Sequence, residues 1–157
     1  RTELPTHLYR RLDVVIALYW VYSNNPDDHT VTRTHDEIDT MLDKLAGMSR
    51  EDWPASAEVT EYGVNDLRAA ELLVGFHVDR GALAYSGPDN KDGSFSQGDG
   101  PADGDSINYM LGESDDEFPP NAEIPLDVVR RAVHEFAETG RRPEDVPWQT
   151  IRGSGWE

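Results

Sequence analysis

Residues 71–85 read ELLVGFHVDRGALAY. Apolar side chains occupy every second position from Leu72 to Val78, which is the period of a β-strand with one buried face. Residues 79–81, Asp-Arg-Gly, supply a turn with glycine at its end, and residues 82–85 then form a returning strand. The stretch therefore predicts a β-hairpin.

One helix is predicted on each side of this hairpin in the chain. Residues 34–37, Thr-His-Asp-Glu, have the spacing of a capping box, and apolar residues follow at intervals of three and four. We therefore expect a helix over about residues 35–46, with Gly47 as its left-handed cap. Pro125 is suited to the first turn of a second helix, whose broad apolar stripe ends at Gly140.

The pattern of polar and apolar residues predicts the structure of the segments outside the hairpin and the two helices. Residues 87–106 contain five Gly, five Asp and two Pro, which predicts an exposed, flexible loop. We expect an α+β fold in a single domain over residues 1–157, with a mainly antiparallel sheet and two principal helices packed on one face. Besides the hairpin, strands are predicted over residues 14–22, 30–32, 58–62, 107–111 and 146–151.

The composition restricts the classes of partner. The 157 residues include 31 acidic and 14 basic side chains, a formal net charge of −17. Binding to nucleic acid or to an anionic membrane needs clustered Lys and Arg, so both are excluded and a cationic partner is expected. The absence of cysteine fits a cytoplasmic location, and the longest apolar run, residues 14–22, is too short to span a bilayer.

Recognisable catalytic and metal-binding patterns are missing. Residues 89–94 begin like a calcium loop, but Lys91 occupies a position that needs an oxygen ligand. Residues 98–104 depart from a dinucleotide-binding glycine pattern, and the histidines lack the spacing of a zinc site. We therefore predict no catalytic, metal-binding or cofactor-binding residue and no enzyme activity. The alternatives are a small calcium-dependent or hydrolytic module that uses the Asp-rich loop, or an acidic adaptor for a basic protein.

Acidic residues are concentrated in one part of the chain. Between Asp89 and Glu117 there are nine carboxylates and one base, Lys91. Such a segment is either a solvated region that keeps the protein soluble or a surface that replaces substrate phosphates in a basic groove. On the second interpretation, the candidate partner-binding residues are Asp89, Asp92, Asp99, Asp103, Asp105, Asp115, Asp116 and Glu117.

Residues 118–136, FPPNAEIPLDVVRRAVHEF, and the segment 139–149 that follows are similar to the C-terminal signature of a bacterial protein family. This is the first-described immunity-protein family of polymorphic toxin systems. Residues 41–45, 72–76 and 81–85 also resemble it in order and spacing. The resemblance covers about residues 14–150.

This resemblance implies a non-enzymatic antidote without a cofactor. It implies binding to a cognate protein toxin, commonly a nucleic-acid deaminase or nuclease. Because such a toxin needs a cationic surface, the acidic charge leads us to expect that the antidote covers a basic active-site cleft. The resemblance does not identify contact residues. We assign its signature residues to maintenance of the fold: Pro125, Phe136, Gly140, Pro143 and Trp148.

Overall fold

The computed structural model of the protein describes residues 14–64 and 69–150. These ranges contain two α-helices and a sheet of ten β-strands. The helices are α1 (His35–Met48) and α2 (Leu126–Thr139). The strands are β1 (Leu18–Val21), β2 (His29–Thr32), β3 (Ala55–Glu61), β4 (Glu71–His77), β5 (Arg80–Gly87), β6 (Asn90–Ser96), β7 (Ile107–Leu111), β8 (Ser114–Phe118), β9 (Ile124–Pro125) and β10 (Trp148–Thr150).

Seven strands form the main path of the sheet, in the order β10-β6-β5-β4-β3-β1-β2, and each neighbouring pair is antiparallel. β7 and β8 form a hairpin that joins β3 through one parallel pairing, Ala55 with Met110. β9 pairs with β5. The predicted α+β class with a mainly antiparallel sheet is confirmed.

Both helices cover the same face of the sheet. Their apolar stripes pack against strand residues that include Trp20, Val74 and Phe76, all fully buried. Trp20 donates its indole N–H to Thr32 Oγ1 at 2.9 Å, so the buried nitrogen keeps a hydrogen bond. Within the described ranges, neither helix is long and apolar enough to cross a bilayer.

The predicted start of α1 is confirmed, whereas its predicted end is wrong. Thr34 Oγ1 accepts a hydrogen bond from the Glu37 backbone N–H at 3.0 Å. The helix then continues through Gly47, and Ser49 ends it by donating its hydroxyl and its backbone N–H to the Ala46 carbonyl. A left-handed glycine is unnecessary because Ser49 satisfies this carbonyl.

Signature residues have structural roles around α2, as predicted. Pro125 lies immediately before the helix, one residue ahead of its predicted place in the first turn, and Phe136 is buried beneath the helix. Gly140 ends the helix with φ 69°. After the helix, Trp148 donates its indole N–H to the Pro143 carbonyl at 2.8 Å. These contacts fix the segment that leads into β10.

The predicted hairpin is present as β4 and β5, but its turn is displaced. His77 pairs with Arg80, so the two turn residues are Val78 and Asp79, and β5 begins at the residue predicted to lie within the turn. Val78 has φ 63°, the one positive value of a non-glycine residue in the described ranges. The turn therefore has a strained backbone at an exposed valine.

The prediction of a loop over residues 87–106 was wrong for its first half. Residues 90–96 form β6, which pairs with β5 and β10, whereas residues 97–106 contain neither strand nor helix. Ser96 shows how this polar strand is buried, because it accepts the Leu83 N–H at 2.9 Å and donates to the Ala122 carbonyl at 2.6 Å.

The β7–β8 hairpin covers part of the face opposite the helices. Tyr109 packs so closely on Gly75 that an added Cβ there would lie 2.4 Å from Tyr109 Cδ2. Phe118 at the end of β8 contacts Tyr109 and Phe95, with ring centroids 4.8 and 5.2 Å apart. A second, smaller core therefore lies beneath the hairpin.

Candidate functional site

A groove opens on the face of the sheet opposite the helices, beside the β7–β8 hairpin. It encloses about 690 Å³ and is bordered by β1, β3, the turn after β3 and the start of β4. We call it the open-face groove. The lining residues that matter most here are Tyr19, Val21, Glu58, Tyr62, Val64 and Glu71. The groove therefore combines aromatic, aliphatic and acidic surface.

Three carboxylates come together along one side of the groove. Glu58 in β3 and Glu71 in β4 are diagonal neighbours on one face, because Thr60 pairs directly with Glu71. Asp116 in β8 pairs with the buried Tyr109 and points towards the sheet as that tyrosine does. We call Glu58, Glu71 and Asp116 the carboxylate triplet.

Burial raises the pKa of every member of the carboxylate triplet, and neighbouring negative charges raise it further. The added repulsion comes from Asp116 on Glu58, from both Glu58 and Asp116 on Glu71, and from Asp115 on Asp116. No basic side chain of the described residues pairs with the triplet. Among the side chains that the structure describes, these three half-buried carboxylates therefore have no basic partner.

The structure brings some of the predicted partner-binding residues together near the groove. Asp92, Asp116 and Glu117 line a hollow of about 230 Å³ that shares Glu71 with the open-face groove. Asp115 is exposed on β8 beside them. These four carboxylates and the two glutamates of the triplet form one continuous acidic region.

The other predicted residues lie outside this region. Asp99, Asp103 and Asp105 are exposed in the segment 97–106. Asp89 accepts a hydrogen bond from the Tyr85 hydroxyl at 2.6 Å. Burial alone would raise the pKa of Asp89, but this bond and the nearby Arg142 lower it overall. Asp89 therefore has partners within the fold.

A mostly buried carboxylate, Glu123, links three parts of the structure. Its Oε2 accepts hydrogen bonds from the Tyr109 hydroxyl at 2.7 Å and from His77 Nδ1 at 2.6 Å. Its Oε1 accepts one from Arg80 Nε at 2.9 Å. His77 Nε2 lies 2.8 Å from the Glu51 carbonyl oxygen. Because every partner is engaged, this network is a structural connection between β4, β5 and β7.

A second network joins the two helices. His35 Nδ1 and His134 Nδ1 are 2.7 Å apart, and His134 Nε2 lies 2.7 Å from Asp39 Oδ1. His35 Nε2 is 3.1 Å from Glu138 Oε2. This network lies between α1 and α2 and therefore on the face away from the open-face groove.

The structure gives no support to the calcium-dependent alternative. Within residues 14–64 and 69–150, no three His, Asp or Glu side chains are arranged to hold a metal ion. Residues 89–94, the predicted beginning of a calcium loop, form the β5–β6 turn and the first part of β6. Pairing within the sheet determines their conformation.

Comparisons with known proteins identify the family of the chain. A search of curated proteins gave no match. The sequence model of a family described as immunity protein Imm1 matches residues 26–150, about four-fifths of the chain. The matched span includes both helices and all three members of the carboxylate triplet. This agrees with the resemblance noted in the sequence, and the chain belongs to the Imm1 immunity protein family.

Proposed function

We propose that this protein binds a cognate toxin that acts on nucleic acid, a deaminase or a nuclease, and covers the basic active-site cleft of that toxin. Its family supports an immunity role. The proposal that the toxin has a basic cleft, which this protein covers, depends on one observation. This is the continuous acidic region around the open-face groove, in a chain of net charge −17. An enzyme that holds phosphates needs a cationic cleft, which such a region complements.

The proposed action is stoichiometric and takes place in the cytoplasm. The protein itself uses no cofactor, catalyses no reaction and binds neither nucleic acid nor membrane. Exposed carboxylates such as Asp115 and Glu117 increase the rate of encounter with a cationic toxin, and salt weakens this steering. This protein and nucleic acid then compete for the active-site cleft of the toxin.

Co-production with the toxin domain encoded beside its gene tests this function. We expect growth to be restored, and we expect an equimolar amount of the purified protein to abolish both nucleic-acid binding and catalysis by the toxin. The proposal is wrong if cells die and the two proteins do not associate. Inhibition that leaves nucleic-acid binding intact would contradict the cleft-covering mechanism.

Charge reversal tests the electrostatic contribution separately. Changing Asp99, Asp103, Asp115 and Glu117 to lysine should lower the association rate constant about tenfold at low salt and weaken its dependence on salt. A matched control reverses four exposed carboxylates that belong neither to the acidic region nor to residues 97–106. They are Asp36, Asp52, Glu144 and Asp145. Equal effects of the two sets would show that only net charge matters.

A further inference from the structure

The two faces of the sheet differ in how they are covered. One face lies beneath α1 and α2, and the β7–β8 hairpin covers the β4–β6 part of the other. Where that cover ends, the open-face groove remains accessible, and Tyr62 and Val64 at its border are 49% and 40% exposed. Apolar surface exposed at a concavity is typical of a binding site.

The lining of the groove matches one kind of side chain. Tyr19, Val21 and Tyr62 provide surface for a chain of methylene groups, and Glu58 and Glu71 lie where such a chain would end. Lysine and arginine combine an apolar stem with a cationic head, and tyrosine rings also attract cations. Arg33 already lies over the Tyr62 ring, 5.4 Å from its centroid, at the border of the groove.

The charges of the groove are unbalanced within the described residues. No basic side chain described by the structure pairs with the carboxylate triplet. Burial raises the pKa of each member, and the negative charges of Glu58, Asp115 and Asp116 raise these pKa values further. The other titratable or charged groups at or beside the groove are Tyr19, His29, Arg33, Glu61, Tyr62 and Asp115. A cation supplied by a partner would relieve the repulsion within the triplet.

We propose that the open-face groove receives a lysine or arginine side chain from the basic cleft of the toxin, with its stem against Tyr19 and Tyr62 and its head at the carboxylate triplet. This inference rests on the proposed function and identifies the contact that anchors the complex. The exposed carboxylates of β8 and of residues 97–106 then steer the encounter, while the groove slows dissociation.

The paired substitution Glu58→Gln/Glu71→Gln tests the inference because it removes two charges with little change of shape. Its control, Glu144→Gln/Asp145→Asn, removes two exposed charges outside the groove. With the toxin domain, we expect the groove variant to lose about 100-fold in affinity, mainly through faster dissociation, and the control to lose less than about threefold. Equal losses, or an unchanged groove variant, would overturn the inference while leaving toxin binding itself intact.

Proton release provides a second readout that a merely structural role would not produce. A bound cation lowers the raised pKa values of the triplet, so binding releases protons, and affinity falls as the pH falls through those values. Calorimetry in buffers of different ionisation enthalpy should detect this release. It should persist in a His29→Gln variant and fall clearly in the groove variant, in which Asp116 is the one remaining member of the triplet. Release that is undiminished in the groove variant would contradict the inference.

A probe that does not depend on the toxin separates the two proposals. An oligo-arginine peptide added to the isotope-labelled protein should shift the amide resonances of Glu58, Thr60 and Glu71 most strongly. Shifts confined to residues 97–106 would overturn the groove as the cation site. If the toxin domain does not bind at all, the proposed function is wrong, and this map still decides whether the groove accepts a cationic side chain.

Discussion

The turn residue Val78 carries backbone strain that serves no visible packing purpose. Its φ of 63° is a conformation that suits glycine, and its side chain is 47% exposed. Val78→Gly should therefore raise the free energy of unfolding by about 1 kcal/mol, measured by urea denaturation. Val64→Gly is the control, since this exposed valine lacks a positive φ, and it should lower stability by about 0.5 kcal/mol. A loss of stability in Val78→Gly would contradict the interpretation.

Two glycines should respond to the same substitution in opposite ways. Gly75 lies beneath the Tyr109 ring, so Gly75→Ala forces the β7–β8 hairpin away from the sheet and should cost about 3 kcal/mol. Gly47 lies within α1, and an added Cβ meets nothing within 4 Å. Gly47→Ala should stabilise the protein by about 0.5 kcal/mol. Thermal unfolding of both variants checks the contrast, and similar changes in the two would refute it.

Among the elements, the helices were predictable because their signals are local. Thr34 and Gly140 mark helix ends whatever the rest of the chain does, and the apolar stripes between such signals have a period that only a helix gives. β6 and β8 lack such signals. In β6, the polar Ser96 is buried through hydrogen bonds to Leu83 of the neighbouring strand β5 and to Ala122 in the turn before β9. β8 has one fully buried residue, Phe118, so neither strand shows the alternation of a typical strand.

Glu123 connects secondary-structure elements that are distant in the chain. It accepts hydrogen bonds from Tyr109, His77 and Arg80, and both burial and the Glu123 carboxylate raise the pKa of Tyr109, which keeps this hydroxyl a donor. Glu123→Gln should therefore lower the free energy of unfolding by about 3 kcal/mol. The exposed Glu113→Gln is the control, with an expected change within about 0.5 kcal/mol. Chemical denaturation at constant pH measures both, and equal effects would show that the network contributes nothing.

For the whole molecule, the carboxylate triplet implies a conflict between binding and stability. Its folded-state pKa values lie above the ordinary ones, so the folded protein binds these protons more tightly than the unfolded chain does. The associated stability is present at low pH and is lost as the pH rises through the raised values.

The stability of the Glu58→Gln/Glu71→Gln variant follows from this sign. At about pH 7 it should exceed that of the unmodified protein by about 0.5 kcal/mol, since like charges on one sheet face are removed. Below the ordinary glutamate pKa of 4.5 the gain should vanish. Urea denaturation across this pH range measures the change. A variant that is less stable than the unmodified protein at neutral pH would contradict the expected gain in stability.

The candidate site was only partly predictable because it depends on strand register. The acidic concentration between Asp89 and Glu117 is visible in the sequence, and it includes Asp92, Asp116 and Glu117 of the acidic region. Glu58 and Glu71 come from outside that segment. Each is an ordinary polar residue of a strand until β3 and β4 pair in the observed register.

The order of strands also has a consequence for synthesis on the ribosome. Along the path from β2 to β6, all strands lie within residues 18–96, and nearly every strand pairs with its neighbour in sequence. This part of the sheet is therefore able to form while the chain is still emerging from the ribosome. The helix that shields Leu83 and Tyr85 arrives only with residues 126–139. Until then a nascent chain exposes the apolar side chains of this sheet face. Protection against the toxin therefore begins only when translation has passed α2.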